Sequence, residues 1–258
     1  MPVPRTIHQI WLQGERAVPA RYRVLRRSWL THHPRWQHRF WDDAAVRALI
    51  GERHPWFLPT YAGYAHLHQR VDAGRYFILY DQGGVYADMD TECLRPLDGL
   101  LDGRPRAQLL VSEQPFGPLE TRLIRLCIAA RRILSNAVMA CVPAYPPLGR
   151  ALRLLPAASR RFAFLRELNI TFSTGPAFLS RALDEAVRAG DSLEVLPAAC
   201  FEPHFGFDTA AFTAMLALPV GEQYVAHSQD ATWHAPFLRE AFQSYFRLKH
   251  LFGMESHA

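Results

Sequence analysis

Apolar residues in the first 100 positions fall into short blocks, and their period changes from one block to the next. Arg5-Thr6-Ile7-His8-Gln9-Ile10-Trp11-Leu12 is a compact run between Pro4 and Gln13-Gly14, and it predicts a buried strand. Tyr22 to Thr31 predicts a helix, and Trp36 to Trp41 a second strand that breaks at Asp42-Asp43. From Leu67 to Gln82, the residues Leu67, Val71, Ile78 and Leu79 recur at helical spacing. Gly83-Gly84 closes that helix, because glycine accepts the left-handed conformation past a helix C-terminus. Val85 to Asp90 follows at once as another strand. The β-α-β order predicts an α/β fold of Rossmann-like layout, with a mostly parallel central sheet flanked by helices.

The second half is less regular. Thr121 to Leu134 and Phe178 to Ala189 predict helices, and the proline-rich stretch from Val142 to Pro156 predicts irregular chain. No repeat or Gly/Ser linker divides the sequence, so a single domain over residues 1–258 is expected. The apolar runs are interrupted, by Arg125 within Leu123 to Ala130 and by Pro143, Pro146 and Pro147 within Ala137 to Leu148. None reaches the roughly 20 residues of a membrane span. Pro2, Pro4, Arg5 and His8 leave no room for the apolar stretch of a signal peptide, so a cytoplasmic location is expected.

Composition changes this picture in one respect. The chain of 258 residues is 49% hydrophobic and 21% charged, an ordinary globular balance. Of its 29 basic residues all but Lys249 are arginine, within a net charge of +5. A GC-rich coding bias accounts for such a skew. Alternatively, arginine-rich surfaces suit phosphate groups on a nucleotide donor or an anionic lipid. No zinc-finger spacing or RRM-type aromatic signature is present, and no nucleic-acid partner is expected. Cys93, Cys127, Cys141 and Cys200 form no CxxC pair and are expected to be reduced core thiols.

The chemistry is concentrated in Asp72-Ala73-Gly74-Arg75-Tyr76 and Gly83-Gly84-Val85-Tyr86-Ala87-Asp88-Met89-Asp90. Strand alternation places Tyr86, Asp88 and Asp90 on one face. Two carboxylates so close repel unless a cation sits with them, and hard oxygen ligands suit Mn²⁺ or Mg²⁺. A DxD triplet alone is weak evidence, since many are turns or caps. Here Asp72 and Arg75, three apart on the preceding helix, can point the same way, and the glycine pair makes that helix and the Asp88 strand neighbours. The alternative for Asp72 and Arg75 is a surface ion pair with each other.

The combined pattern Arg-Tyr-x-x-Leu-Tyr-x-x-Gly-Gly-Val-Tyr-x-Asp-x-Asp resembles the signature of the DxD sugar-binding glycosyltransferases, glycosyltransferase family 32. That family includes yeast mannosyltransferases and bacterial polysaccharide enzymes, with clostridial glucosylating toxins as distant relatives. Pro4 to Trp11 and Trp41-Asp42-Asp43 match further family segments; the likeness is strong over about the first 100 residues and thin beyond. It implies a GT-A fold and a retaining, metal-dependent hexosyl transfer from a UDP- or GDP-sugar to a glycan, lipid-linked or small-molecule acceptor. Residues 1–100 would form the nucleotide-sugar and metal core, and 101–258 the acceptor side. The resemblance implies catalytic roles for Asp88, Asp90 and Arg75. It implies donor binding by Trp11, Asp72, Arg75, Gly84, Tyr86, Asp88, Asn136 and Trp233. Metal would be held by Asp88, Asp90 and His227, with Asp230 as a competing ligand. Trp11 has a core role as its alternative, and Asn136 a helix C-cap. Thr174-Gly175-Pro176 matches a family turn whose proline starts the next helix.

The arginines of Thr121 to Leu134 and of Arg150 to Leu168 lie among Leu, Ile and Phe. They allow a peripheral contact with the inner face of a membrane, or form the solvated face of packed helices. Two rivals share the DxD. An Asp-nucleophile phosphatase normally has a hydroxyl residue two beyond the second Asp, where this chain has Glu92. A non-catalytic nucleotide-sugar-binding protein would use the same pocket without turnover.

Overall fold

The computed structural model describes residues 1–114, 118–159, 166–189, 192–201 and 223–228. In chain order it contains β1 (Thr6–Ile10), α1 (Ala20–His32), β2 (Gln37–Trp41), α2 (Asp43–Arg53), α3 (Leu58–Gly63) and α4 (Leu67–Gln82). There follow β3 (Gly84–Ala87), β4 (Thr91–Cys93), α5 (Asp98–Asp102), β5 (Leu109–Glu113), α6 (Pro118–Ile128), β6 (Leu134–Cys141) and α7 (Pro146–Ala158). The last are α8 (Arg166–Ser173), α9 (Pro176–Ala182), α10 (Asp184–Ala189), β7 (Leu193–Leu196), α11 (Ala198–Phe201) and β8 (Val225–His227).

Six strands form the central sheet in the order β2-β1-β3-β6-β5-β7. Only β6 runs against the others, so the sheet is mostly parallel as expected. A separate antiparallel ribbon joins β4 to β8. α4 packs across β1, β3 and β6, with α2, α7 and α8 beside it. Its stretch from Asp72 to Leu79 is wholly buried, which a helix tolerates when it is covered on all sides.

The opening segments interlock. The Trp41 indole N–H donates to His8 Nδ1 at 3.2 Å, and His8 Nε2 lies 3.0 Å from the Gly83 carbonyl. An indole can only donate, so Nδ1 is the acceptor and the proton sits on Nε2, donated to Gly83. Burial pushes the His8 pKa down to about 4, which keeps the ring neutral for both bonds. Gly84 closes against the same imidazole: at φ 91° an added Cβ would stand 2.6 Å from the Thr6 carbonyl and 2.9 Å from His8 Nε2. The helix-to-strand turn thus needs glycine for both conformation and space.

Several sequence expectations require correction. The strand after Gly83 ends at Ala87, and Asp88-Met89-Asp90 lies in a turn, because the chain leaves the sheet to begin β4. The predicted helix to Leu134 ends at Ile128, and Leu134 opens β6, the fully buried strand between β3 and β5. Val142 to Pro156 is largely helical: Pro146 and Pro147 occupy the first turn of α7, where proline needs no intrahelical N–H bond, and Pro156 falls in its last turn. The predicted helix from Phe178 to Ala189 is two, α9 and α10, divided at Leu183. Cys127 is exposed, whereas Cys93, Cys141 and Cys200 are buried; all four are free thiols.

Candidate active site

The ends of β3 and β6 and the buried face of α4 meet at Arg75. Its guanidinium pairs with Asp72 Oδ1 at 2.9 Å and with Asp88 Oδ2 at 3.1 Å, and it donates to the Asn136 carbonyl. It also lies 4.5 Å over the Tyr86 ring. Asp72 and Arg75 therefore do pair with each other, but in the interior rather than on the surface. A planar fork spans two carboxylates in a way that a single ammonium cannot. Burial opposes the Arg75 charge, but Asp88, Tyr86 and Asp72 outweigh it and hold its pKa above the ordinary value.

Asp72 is fixed by three donors. The Asn136 amide donates to Oδ1 at 3.0 Å beside Arg75, and the Thr174 hydroxyl donates to Oδ2 at 3.0 Å. The Tyr76 hydroxyl accepts from the Asn136 amide at 3.1 Å and donates to the Thr174 carbonyl at 2.7 Å. Asn136 thus sits mid-network on a strand rather than capping a helix, and the Thr174-Gly175-Pro176 turn starts α9 while delivering its hydroxyl to the site. Burial raises the Asp72 pKa, with Arg75, Thr174 and Asn136 drawing it back.

Asp88 is held just as firmly. The Tyr86 hydroxyl donates to Oδ1 at 2.6 Å, and the Asp88 N–H donates to the Ala137 carbonyl at 2.9 Å. Burial raises its pKa to about 6, against the pull of Arg75 and with the help of Asp90. The ribbon completes the turn. β4 pairs Thr91 with His227 of β8, which sets His227 beside the residue that follows Asp90. The Ser228 N–H and hydroxyl both donate to the Asp90 carbonyl, at 3.0 and 2.9 Å. His227 Nε2 lies 3.3 Å from Asp90 Oδ1. α1 braces this ribbon: the Trp29 indole donates to the Thr91 carbonyl at 3.1 Å, and the Ser28 hydroxyl accepts from the Cys93 N–H at 2.8 Å.

One ligand atom from each of Asp88, Asp90 and His227 lies within 4.8 Å of the others. Two carboxylates and an imidazole fit Mn²⁺ or Mg²⁺, whose preferred donors are oxygen with tolerated nitrogen. Trp11 is partly buried against Tyr22, at 5.4 Å between ring centroids, and its indole N–H is buried without a partner among the described residues. Gly84 and Tyr86 are buried and act on the turn and on Asp88. Trp233 and Asp230 lie outside the described residues.

Sequence reasoning gave Tyr76 no role of its own and passed over His68. His68 lies one helical turn before Asp72, so His68, Asp72 and Arg75 form one stripe on α4. Its Nδ1 is buried without a partner among the described residues. Burial, then the charges of Arg166 and Arg75, push its pKa down to about 4 against the pull of Asp90. The four-residue spacing to Asp72 was the available signal.

Residues 19–107, which include the Arg75 helix and the DxD turn, match the family described as the glycosyltransferase sugar-binding region containing a DXD motif. Over these residues the chain belongs to this family. Among its curated glycosyltransferase relatives is inositol phosphoceramide mannosyltransferase 1 of Schizosaccharomyces pombe, 33% identical over 181 residues. Another is the mannosyl phosphorylinositol ceramide synthase of Saccharomyces cerevisiae, 34% identical over 178 residues. Each alignment covers 69% of this chain but only 50% and 41% of the relative, so the chain spans about half the length of the curated relatives it matches. Solved glycosyltransferases share the fold. The PaToxG glycosyltransferase matches with a TM-score of 0.54 and 15% identity over 83% of this chain and 75% of its own. Mouse xyloside xylosyltransferase 1 matches at 0.50 and 15% identity, over 90% and 99%. The fold is GT-A.

Proposed function

We propose that this protein transfers a hexose from a nucleotide-diphosphate sugar, with retention at the anomeric carbon and with a divalent metal held by Asp88, Asp90 and His227. The observation that carries the reading is the gathering of these three side chains next to the buried Asp72-Arg75-Asn136 network. Mn²⁺ or Mg²⁺ would supply Lewis-acid stabilisation of the departing diphosphate. Arg75 contributes a fixed positive charge in a dry site, where it needs no reorganisation as negative charge develops. Asp72 and Asn136 offer oriented polar groups to sugar hydroxyls, and Trp11 a partly buried ring for the donor base. Each acid of the cluster is committed: Asp72 to Arg75 and Thr174, Asp88 to Arg75 and Tyr86, Asp90 to His227. None stands poised as a covalent nucleophile, which supports attack from the donor's own face, with the leaving phosphate taking the acceptor proton.

The names of the relatives make a mannosyl donor and an inositol-phosphate-bearing acceptor the first to test. The exposed Arg122, Arg125 and Leu126 of α6, and Arg150, Arg153 and Leu154 of α7, support a peripheral lipid contact. No described helix is long and apolar enough to cross a membrane.

The test is a thermal-shift series with GDP-mannose and UDP-hexoses, with and without Mn²⁺, since a ligand of the folded state must raise the melting temperature. Metal-dependent stabilisation by one donor supports the reading, and Asp90→Ala should abolish both that shift and transfer while leaving the far-UV spectrum unchanged. A fully active Asp90→Ala enzyme would refute the metal assignment. Donor binding without any turnover across acceptors would favour a non-catalytic binding protein.

A further inference from the structure

β6 carries Asn136 into the donor network, and its first residues extend to the same sheet edge as the DxD turn. There Leu134 pairs with Glu113 at the end of β5. Beyond this point α6 and the turn at 129–133 bring Arg125, Arg131 and Arg132 together to line a cavity of about 460 Å³, walled also by Glu113 and Val187. Arg132 is paired within it, to Glu113 at 3.2 Å. Among the described residues the side chains of Arg125 and Arg131 form no ion pair. A solvated basic face spreads its like charges, whereas here three cations and one carboxylate share one concavity.

The walls are also fixed in place. Asp184 Oδ1 accepts from the Arg131 N–H at 2.8 Å while its Oδ2 pairs with Arg188 at 2.7 Å. Ser180 Oγ accepts from the Leu134 N–H at 2.9 Å, and the Gln114 N–H donates to the Ile133 carbonyl at 2.8 Å. The turn that presents the arginines is therefore held before any ligand arrives, which lowers the ordering cost of binding.

We propose that this cavity binds a phosphate group carried by the acceptor. Guanidinium groups donate to phosphate oxygens in a fixed planar fork, and two of the three here have no competing carboxylate. β5 runs parallel to β3 two strand steps away, roughly 10 Å at about 4.8 Å per step, so the cavity beyond its C-terminal end lies at the same end of the sheet as the DxD turn. This rests on the glycosyl-transfer reading, since it assigns the cavity to that reaction's acceptor.

The test compares the full chain with the Arg125→Gln/Arg131→Gln double variant, both exposed positions, by calorimetric titration with inorganic phosphate. A thermal-shift series with GDP-mannose and UDP-hexoses plus Mn²⁺ runs alongside. Phosphate affinity should fall about tenfold in the double variant, as expected for two partly solvated charge contacts, with donor stabilisation unchanged. Equal phosphate binding by the two proteins, or none by either, overturns the proposal. If the variant loses phosphate binding but neither protein responds to any donor, the glycosyl-transfer reading fails, and the acceptor role of the cavity fails with it. Flotation with phosphatidylinositol in phosphatidylcholine vesicles separates the sources. Flotation competed by inorganic phosphate and lost in the double variant identifies a lipid headgroup, and phosphate binding without flotation identifies a soluble phosphorylated acceptor.

Discussion

Thr174→Val removes one hydroxyl from the interior and almost nothing else, since valine has nearly the same shape. Thr174 is fully buried, and its hydroxyl is the donor that Asp72 Oδ2 receives at 3.0 Å. Oδ1 keeps Arg75 and Asn136, so the carboxylate is not abandoned but is left half-satisfied. An unsatisfied buried acceptor costs about 1–3 kcal/mol, and a charged one tends to the upper part, so about 2 kcal/mol is expected. At about 2–4 °C per kcal/mol for a chain of this size, the melting temperature should drop by roughly 4–8 °C. The same change loosens Asp72, so metal-dependent stabilisation by the donor should weaken as well. Burial already raises the Asp72 pKa, and losing a donor to the carboxylate raises it further. The defect should therefore shrink as pH falls and Asp72 takes up a proton. Thermal denaturation by circular dichroism at two pH values, with Thr174→Ser as the variant that retains the hydroxyl, reads all three effects. A Thr174→Val protein that melts with the parent and keeps its donor response would refute the claim that this hydroxyl holds Asp72.

Three other perturbations bear on the same architecture. Because burial raises the Asp88 pKa to about 6, metal-dependent donor binding should decline as pH falls through that value; a titration flat from pH 7 to pH 5 would contradict Asp88 as a ligand. In the metal-free protein the sign is opposite for stability: a carboxyl whose folded pKa is raised favours the folded state at low pH, and that contribution is lost as pH rises from about 4 to about 6. Gly84→Ala should destabilise by more than about 3 kcal/mol, since it combines a positive φ with backbone overlap at Thr6, and a soluble, parent-like melt would argue against the described turn. His68→Gln should alter donor KM or kcat about tenfold while leaving Mn²⁺ affinity unchanged, and kinetics identical to the parent would remove His68 from the site.

The helix from Leu67 to Gln82 and the glycine turn were legible in the sequence because their signals are local: apolar spacing, a left-handed stop and a strand that follows at once. The DxD and its Asp72-Arg75 companions were legible for the same reason, since one helix-turn-strand unit and the turn directly after it carry all four. The end of the strand at Ala87 was not, because sequence alternation continues through Asp90 while the chain has already turned toward the ribbon. The double proline of 146–147 misled for a related reason. Proline breaks a helix only from inside it, and whether a position is inside or first is set by where Tyr145 packs the entering chain.

What the sequence determined by itself is therefore the βαβ frame and the identity of the two DxD carboxylates with their arginine. Their assembly with Asn136, Thr174 and His227 was decided by tertiary structure. Asn136 arrives on an antiparallel strand inserted between β3 and β5, Thr174 on a turn about 100 residues from Asp72, and His227 through pairing with Thr91. No local pattern encodes such meetings, because they depend on which strand pairs with which. That pairing is settled by burying the sheet and α4 together, and only then does each polar group find the partner that makes its burial tolerable.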